Sequence, residues 1–172
     1  MKPGRAPFSV LARLLALALG LAMTGAHADA YGDVGQLLRA GRLPEARARA
    51  DQHLATKPRD PQMRYLLGLI QRESGQPAEA LVTFTRLTED FPELPEPYNA
   101  QAVILAAQGD YDKARAALEA AIRNNPGYAT AHENLGDLHV RLAQQAYCKA
   151  LQLDAGNSTA NTKLVKISAS CP

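Results

Sequence analysis

The chain has 172 residues, 47% of them hydrophobic, which is enough apolar material for a globular core. Its net charge of +2 becomes −1 once residues 1–28 are set aside, because Lys2, Arg5 and Arg13 leave with them. The remaining 144 residues suffice for one domain, and their charge excludes the broad basic surface that nucleic acid or an anionic membrane would require.

Lys2 and Arg5 precede an apolar run from Leu14 to Met23, and Ala26-His27-Ala28 then places small residues ahead of Asp29. This is the pattern of a secretory signal peptide, cut after Ala28 and too short to span a bilayer comfortably. An uncleaved N-terminal anchor is the alternative. The expectation is a protein exported to a bacterial periplasm, with residues 29–172 as its mature domain and no stable membrane insertion after cleavage.

The first predicted helix has only Asp29 to Ala40 to work with. Gly32 and Gly35 lie inside it, at about 1 kcal/mol each relative to Ala, so this helix is expected to fray. Gly41 closes it, Pro44 opens the next helix, and Pro58 follows that helix. The same punctuation then recurs. Gly41, Gly75 and Gly109 are 34 residues apart, as are Pro58, Pro92 and Pro126, and so are Ala46, Ala80 and Ala114. Gly68, Ala102 and Gly136 keep the same phase, with Val34 upstream. Between these markers, Leu81, Phe84, Leu87 and Phe91 recur at helical spacing, as do Ala114, Leu118 and Ala121. The units fall at about 29–60, 61–94 and 95–128.

The fourth unit begins in phase with Leu135 and Gly136 but then loses residues. In the complete units the paired positions of the two helices are 17 apart, as in Leu67 to Phe84 and Gln101 to Leu118; Leu135 and Tyr147 are 12 apart. The five missing residues are those of the turn, and no Gly or Pro stands between Gly136 and Leu153. Leu135, Leu138, Leu142, Ala146, Ala150 and Leu153 continue one apolar stripe. This predicts a single helix over about 131–153, on the order of 35 Å long. A tight reversal around residues 143–145 is the alternative. A loop at Asp154–Ser158 and a last helix near Thr159–Ile167 follow, as a cap on the stack or as a second surface for a partner.

A 34-residue period of helix, glycine turn and helix resembles the tetratricopeptide repeat. The second unit offers Leu67, Gly68, Gly75, Ala80, Phe84 and Pro92, and the third offers Tyr98, Ala102, Gly109, Ala114, Leu118, Ala121 and Pro126. The first departs from the pattern at Asp33 and Ala50. The resemblance implies an all-α fold, a right-handed α-solenoid of stacked helix-turn-helix units ending in a C-terminal capping helix. It also implies that the first helix of each unit lines a concave groove. By position the groove holds Tyr31, Tyr65, Leu69, Arg72, Asn99, Val103, Ala106, Glu133, Asn134 and Asp137. The family's carboxylate-clamp positions here carry Tyr31, Tyr65, Asn99 and Glu133, which argues against that mode.

No catalytic constellation is present: no Gly-x-Ser-x-Gly elbow, no phosphate-cradling glycine loop, no His-Glu-x-x-His. His132 and His139 are seven apart, too long a reach for one metal ion, and His53 reads as a packing residue. No cofactor and no metal are expected. An oxidising compartment permits a bridge between Cys148 and Cys171, but the position of Cys171 in a polar tail favours free or intermolecular thiols.

The functional expectation is a non-enzymatic periplasmic adaptor holding a protein or peptide partner in its groove, in envelope, secretion or pilus assembly. The partner would be apolar in its middle and basic near the C-terminal units. The alternatives are a self-associating structural protein and an accessory to a cell-wall enzyme or glycan binder that stacks sugars on Tyr31 and Tyr65.

Overall fold

A computed structural model describes residues 26–171, so the proposed signal peptide lies almost wholly outside the described residues. These fold into eight helices with no strand among them, in two compact units that divide between Ser74 and Gly75.

The first unit contains α1 (Ala26–Arg39), α2 (Leu43–Thr56) and α3 (Pro61–Glu73). Gly41 ends the first turn with φ +69°, a left-handed conformation that costs a residue with a side chain. There the Arg42 N–H donates to the Leu37 carbonyl at 3.0 Å, using a carbonyl the helix leaves unpaired. Pro44 sits in the first turn of α2, where the proline's missing N–H has no intrahelical role. Asp60 caps α3 by accepting from the Met63 N–H at 3.0 Å, just ahead of Pro61. The three helices bury Val34, Ala46, Ala50, Met63 and Ile70 as one cluster, and Ala46, Ala50 and Met63 have no exposed surface.

The second unit contains α4 (Pro77–Asp90), α5 (Pro95–Ala107), α6 (Tyr111–Asn124), α7 (Ala129–Leu153) and α8 (Ser158–Lys166). α4 inserts Phe84 and Leu87, both fully buried, and is tied to α5 where Gln101 donates to Thr85 and Thr88. α5 and α6 reverse at Gly109, φ +83°, and cross where Ala102 and Ala114 share a buried cluster with Leu118 and Ala121. Small side chains at that crossing let the two backbones approach. Ala131 and Leu138 bring α7 into the same cluster.

α7 runs unbroken for 25 residues, about 37 Å, as the missing turn predicts. Its first half packs on α6, and its second half is covered by α8, which buries Ala160 and Leu164. The Lys163 ammonium stands 5.6 Å above the centre of the Tyr147 ring. Ser168, with φ +51°, turns the chain after α8, and Gln144 Nε2 donates to the Ser170 carbonyl at 2.6 Å. The tail thereby returns to α7.

That return corrects the expectation of free or intermolecular thiols. Cys148 and Cys171 form an intramolecular disulfide, their Cα atoms 5.5 Å apart. The physical reason is the turn at Ser168 after α8: it brings the tail back to α7 and sets Cys171 beside Cys148, a path that sequence separation alone does not convey.

Candidate functional site

In the second unit a cleft of about 320 Å³ opens between α5 and α7. Val103, Ala106 and Ala107 form its floor on α5, because three small or short side chains on one face leave the space beside α7 unfilled. Asn134, Asp137 and Arg141 form the opposite wall, each about one helical turn from the next, and Tyr111 stands at the end. Asn134 is fixed in place: its Nδ2 donates to Oδ1 of Asn99 at 2.8 Å, and Asn99 is buried. Tyr111 and Arg141 also border a second hollow of about 350 Å³ that continues along α7 past Gln145 and Lys149. The two hollows form one trough. Its length comes from the helix that does not fold back.

This trough has an apolar floor, amide and charged groups along one wall, and an open top. Such a surface accepts a side-chain row from a peptide and offers no nucleophile–base pair. Among the described residues no group of three or more His, Cys, Asp or Glu side chains converges to hold a metal ion. His132 hydrogen-bonds the Pro126 carbonyl at 3.0 Å, and His139 is exposed. No helix of the described residues is long and apolar enough to cross a membrane.

The residues assigned to the groove by position divide as follows. Val103, Ala106, Asn134 and Asp137 line the cleft, and Asn99 anchors its wall. Glu133 is exposed on α7 but does not line it. Tyr65, Leu69 and Arg72 lie on α3 in the first unit, one turn apart, with Arg72 paired to Glu73 at 2.8 Å. Arg141 and Tyr111 escaped the positional reading. Arg141 is four residues after Asp137, so continuing the groove along the predicted long helix would have found it.

Tyr31, on α1, is engaged elsewhere. Its hydroxyl donates to the Asp60 carboxylate, which also faces His53 Nε2 at 2.9 Å, and the Tyr31 and His53 rings are tilted with centres 5.5 Å apart. Burial acts to raise the Asp60 pKa, but the hydrogen bonds from Tyr31, the Met63 N–H and His53 outweigh it and hold the carboxyl below its ordinary value. The same bond to Asp60, with burial, raises the Tyr31 pKa. The Tyr31 hydroxyl thus holds α1 to the start of α3, while the residue also borders a surface hollow with Pro58 and Pro61.

Residues 36–95 and 99–157 match the family model described as the tetratricopeptide repeat. The chain is 35% identical over 77 residues to the TPR repeat-containing thioredoxin TTL4 of Arabidopsis thaliana; the match takes in 45% of this chain and 11% of that protein's length. Among solved structures, the first TPR domain of human RPAP3 is similar with a TM-score of 0.63 at 14% identity, covering 68% of this chain and 92% of that one. The Yersinia enterocolitica type III secretion chaperone SycD, in complex with a peptide of the translocator YopD, gives 0.60 at 14% identity, covering 69% and 95%.

Proposed function

The chain belongs to the tetratricopeptide repeat family, and on that premise we propose that it is a non-enzymatic scaffold that holds a peptide segment of a protein partner in the α5–α7 trough. The observation that carries this reading is the cleft itself: the apolar floor of Val103, Ala106 and Ala107 faces a wall whose Asn134 is already oriented by Asn99. An ordered amide beside an apolar floor reads a backbone or side-chain polar group while a neighbouring apolar side chain is buried. Solved relatives of this fold include one bound to a translocator peptide, which supports the mode and leaves the partner open. Asp137 and Arg141 lie one turn apart with opposite charges, so the segment is selected by shape more than by net charge, and the expected preference for a basic segment weakens.

The signal-peptide pattern of residues 1–28, read from the sequence, and the disulfide support a second element of the proposal, that the scaffold works in the periplasm, where a Cys148–Cys171 bridge persists. Envelope, secretion or pilus assembly are the settings this suggests. Fractionation with N-terminal sequencing tests it: a periplasmic species beginning at Asp29 supports export, and a cytoplasmic species beginning at Met1 refutes it.

Binding is tested with a random peptide display library panned on residues 29–172. The reading requires enriched peptides whose binding is lost in Val103→Asp and Asn134→Ala, with unchanged circular dichroism. Enrichment insensitive to both substitutions, or no enrichment, contradicts it.

A further inference from the structure

Past Arg141 the trough changes character. Over the apolar floor, Asp137 and Arg141 balance in charge, one turn apart on α7. In the hollow of about 350 Å³ that continues along α7, the charged lining is Arg141 and Lys149, with no carboxylate among the lining residues. The side-chain amides of Gln144, Gln145 and Gln152 line it with them. Gln144 is engaged by the Ser170 carbonyl, whereas Gln145 and Gln152 make no side-chain hydrogen bond among the described residues. Among the described residues no carboxylate forms an ion pair with Arg141 or Lys149 either. The acids on the facing element are taken. Asp110 and Asp112 flank Tyr111, which lines the hollow from the start of α6, and they pair with Lys113 at 3.0 Å and Arg115 at 2.8 Å. Cys148 adds no negative charge, because its sulfur is bonded to Cys171. The hollow therefore offers two cations and free amide donors, and its lining holds no anion to meet them.

We propose, on the reading of the trough as a peptide site, that this end takes a carboxylate side chain, so that the bound segment carries an aspartate or glutamate beyond its apolar anchor. A carboxylate only accepts hydrogen bonds, and it can take N–H donors from a lysine, an arginine and an amide together. Arg141, Gln145 and Lys149 supply those three donor types at four-residue intervals along one face of α7. All three are exposed, so the ion pairs remain partly solvated and add modestly to affinity. Their larger effect is on direction. One end of the trough sets Asp137 beside the floor and the other sets two cations beyond it, so a segment with one acidic end lies a single way round. From Asp137 to Gln145 is about 12 Å along α7, the reach of about four extended residues. The expectation of a basic segment rests on Glu133 and Asp137; the unbroken α7 carries the trough beyond both, onto cations.

The probes are the peptides that the display library enriches on the parent chain and that Val103→Asp releases. They should carry an acidic residue to one side of an apolar one. Replacing that acid by its amide should weaken binding about three- to tenfold in isothermal titration calorimetry, and less so at high salt. Lys149→Glu should weaken the unaltered peptide by a similar factor, and a peptide whose acid is changed to lysine should regain affinity for Lys149→Glu. Lys149 is exposed and lies outside the apolar floor, so the substitution spares the floor, and circular dichroism checks the fold. Peptides that depend on Val103 yet carry no acidic residue, or that bind Lys149→Glu as they bind the parent, overturn this inference and leave the trough reading standing. An absence of Val103-dependent peptides overturns both.

Discussion

His53 Nε2 stands 2.9 Å from Oδ2 of Asp60, and the same carboxylate oxygen accepts the Tyr31 hydroxyl, while Oδ1 caps α3 through the Met63 N–H. One side chain therefore ties together α1, α2 and α3. With its carboxylate pKa lowered by these bonds, Asp60 contributes stability that is fully present above the ordinary carboxylate pKa and lost as pH falls through the lower, folded value. Tyr31, its pKa raised, behaves in the opposite sense: its contribution holds below the ordinary tyrosine pKa and is lost as pH rises through the folded one.

Asp60→Asn keeps a cap but removes the charge that two donors share. The expected cost is ~1–3 kcal/mol at neutral pH, with a flatter loss of stability on the acid side than the parent shows. Thermal melts at a series of pH values measure both, and hydrogen exchange should show α1 opening sooner in the variant. Parallel acid limbs would contradict the assigned role.

The disulfide holds the last helix and tail onto α7 rather than the whole chain. Cys171→Ser is expected to lower stability by about 3–4 kcal/mol at most, from the loop of 23 residues that the bridge closes. The loss should be local. Amide exchange should quicken in α8 and residues 167–171 and stay unchanged in α5 and α6; uniform quickening would show that the bridge supports more than this corner.

An unbroken α7 predicts intolerance of proline at its middle. Gln145 is exposed, yet Gln145→Pro removes an intrahelical hydrogen bond and clashes with the preceding turn, at ~3 kcal/mol or more. Circular dichroism should record lost helix and an earlier melt. Retention of the parent melt would point to a reversal at residues 143–145.

Ala114 tests the packing logic of the repeat. It is fully buried where α5 and α6 cross, so Ala114→Leu overfills the gap, with an expected loss of ~1–3 kcal/mol in chemical denaturation. The same enlargement at Gly136 should cost the fold nothing, since its Cβ direction is empty.

Much of the fold was legible because its determinants are local and periodic. Gly41, Gly75 and Gly109 are left-handed in the structure, which is why they recur, and Pro44 and Pro77 occupy first helical turns. The long α7 was legible from the shortened Leu135–Tyr147 spacing and from the lack of any breaker after Gly136. What escaped depends on distant segments meeting. Tyr31 and Asp60 are 29 residues apart and join only once α1 lies against the α2–α3 turn; the positional reading put Tyr31 in a groove and His53 in plain packing. The Cys148–Cys171 bridge depends on a turn at Ser168 that no residue pattern announces. Of the site, the α5 floor followed from the repeat register. Arg141 did not, because the register stops where the fourth unit departs from it.

Occupation of the α5–α7 trough by a peptide can be observed residue by residue. Its most direct test is an amide chemical-shift titration of residues 29–172 with a peptide selected from the display library. Shifts should concentrate at Val103, Ala106, Asn134, Asp137 and Arg141, with α2 and the outer face of α6 unmoved. Saturable shifts confined to other helices, with the trough silent, would contradict it.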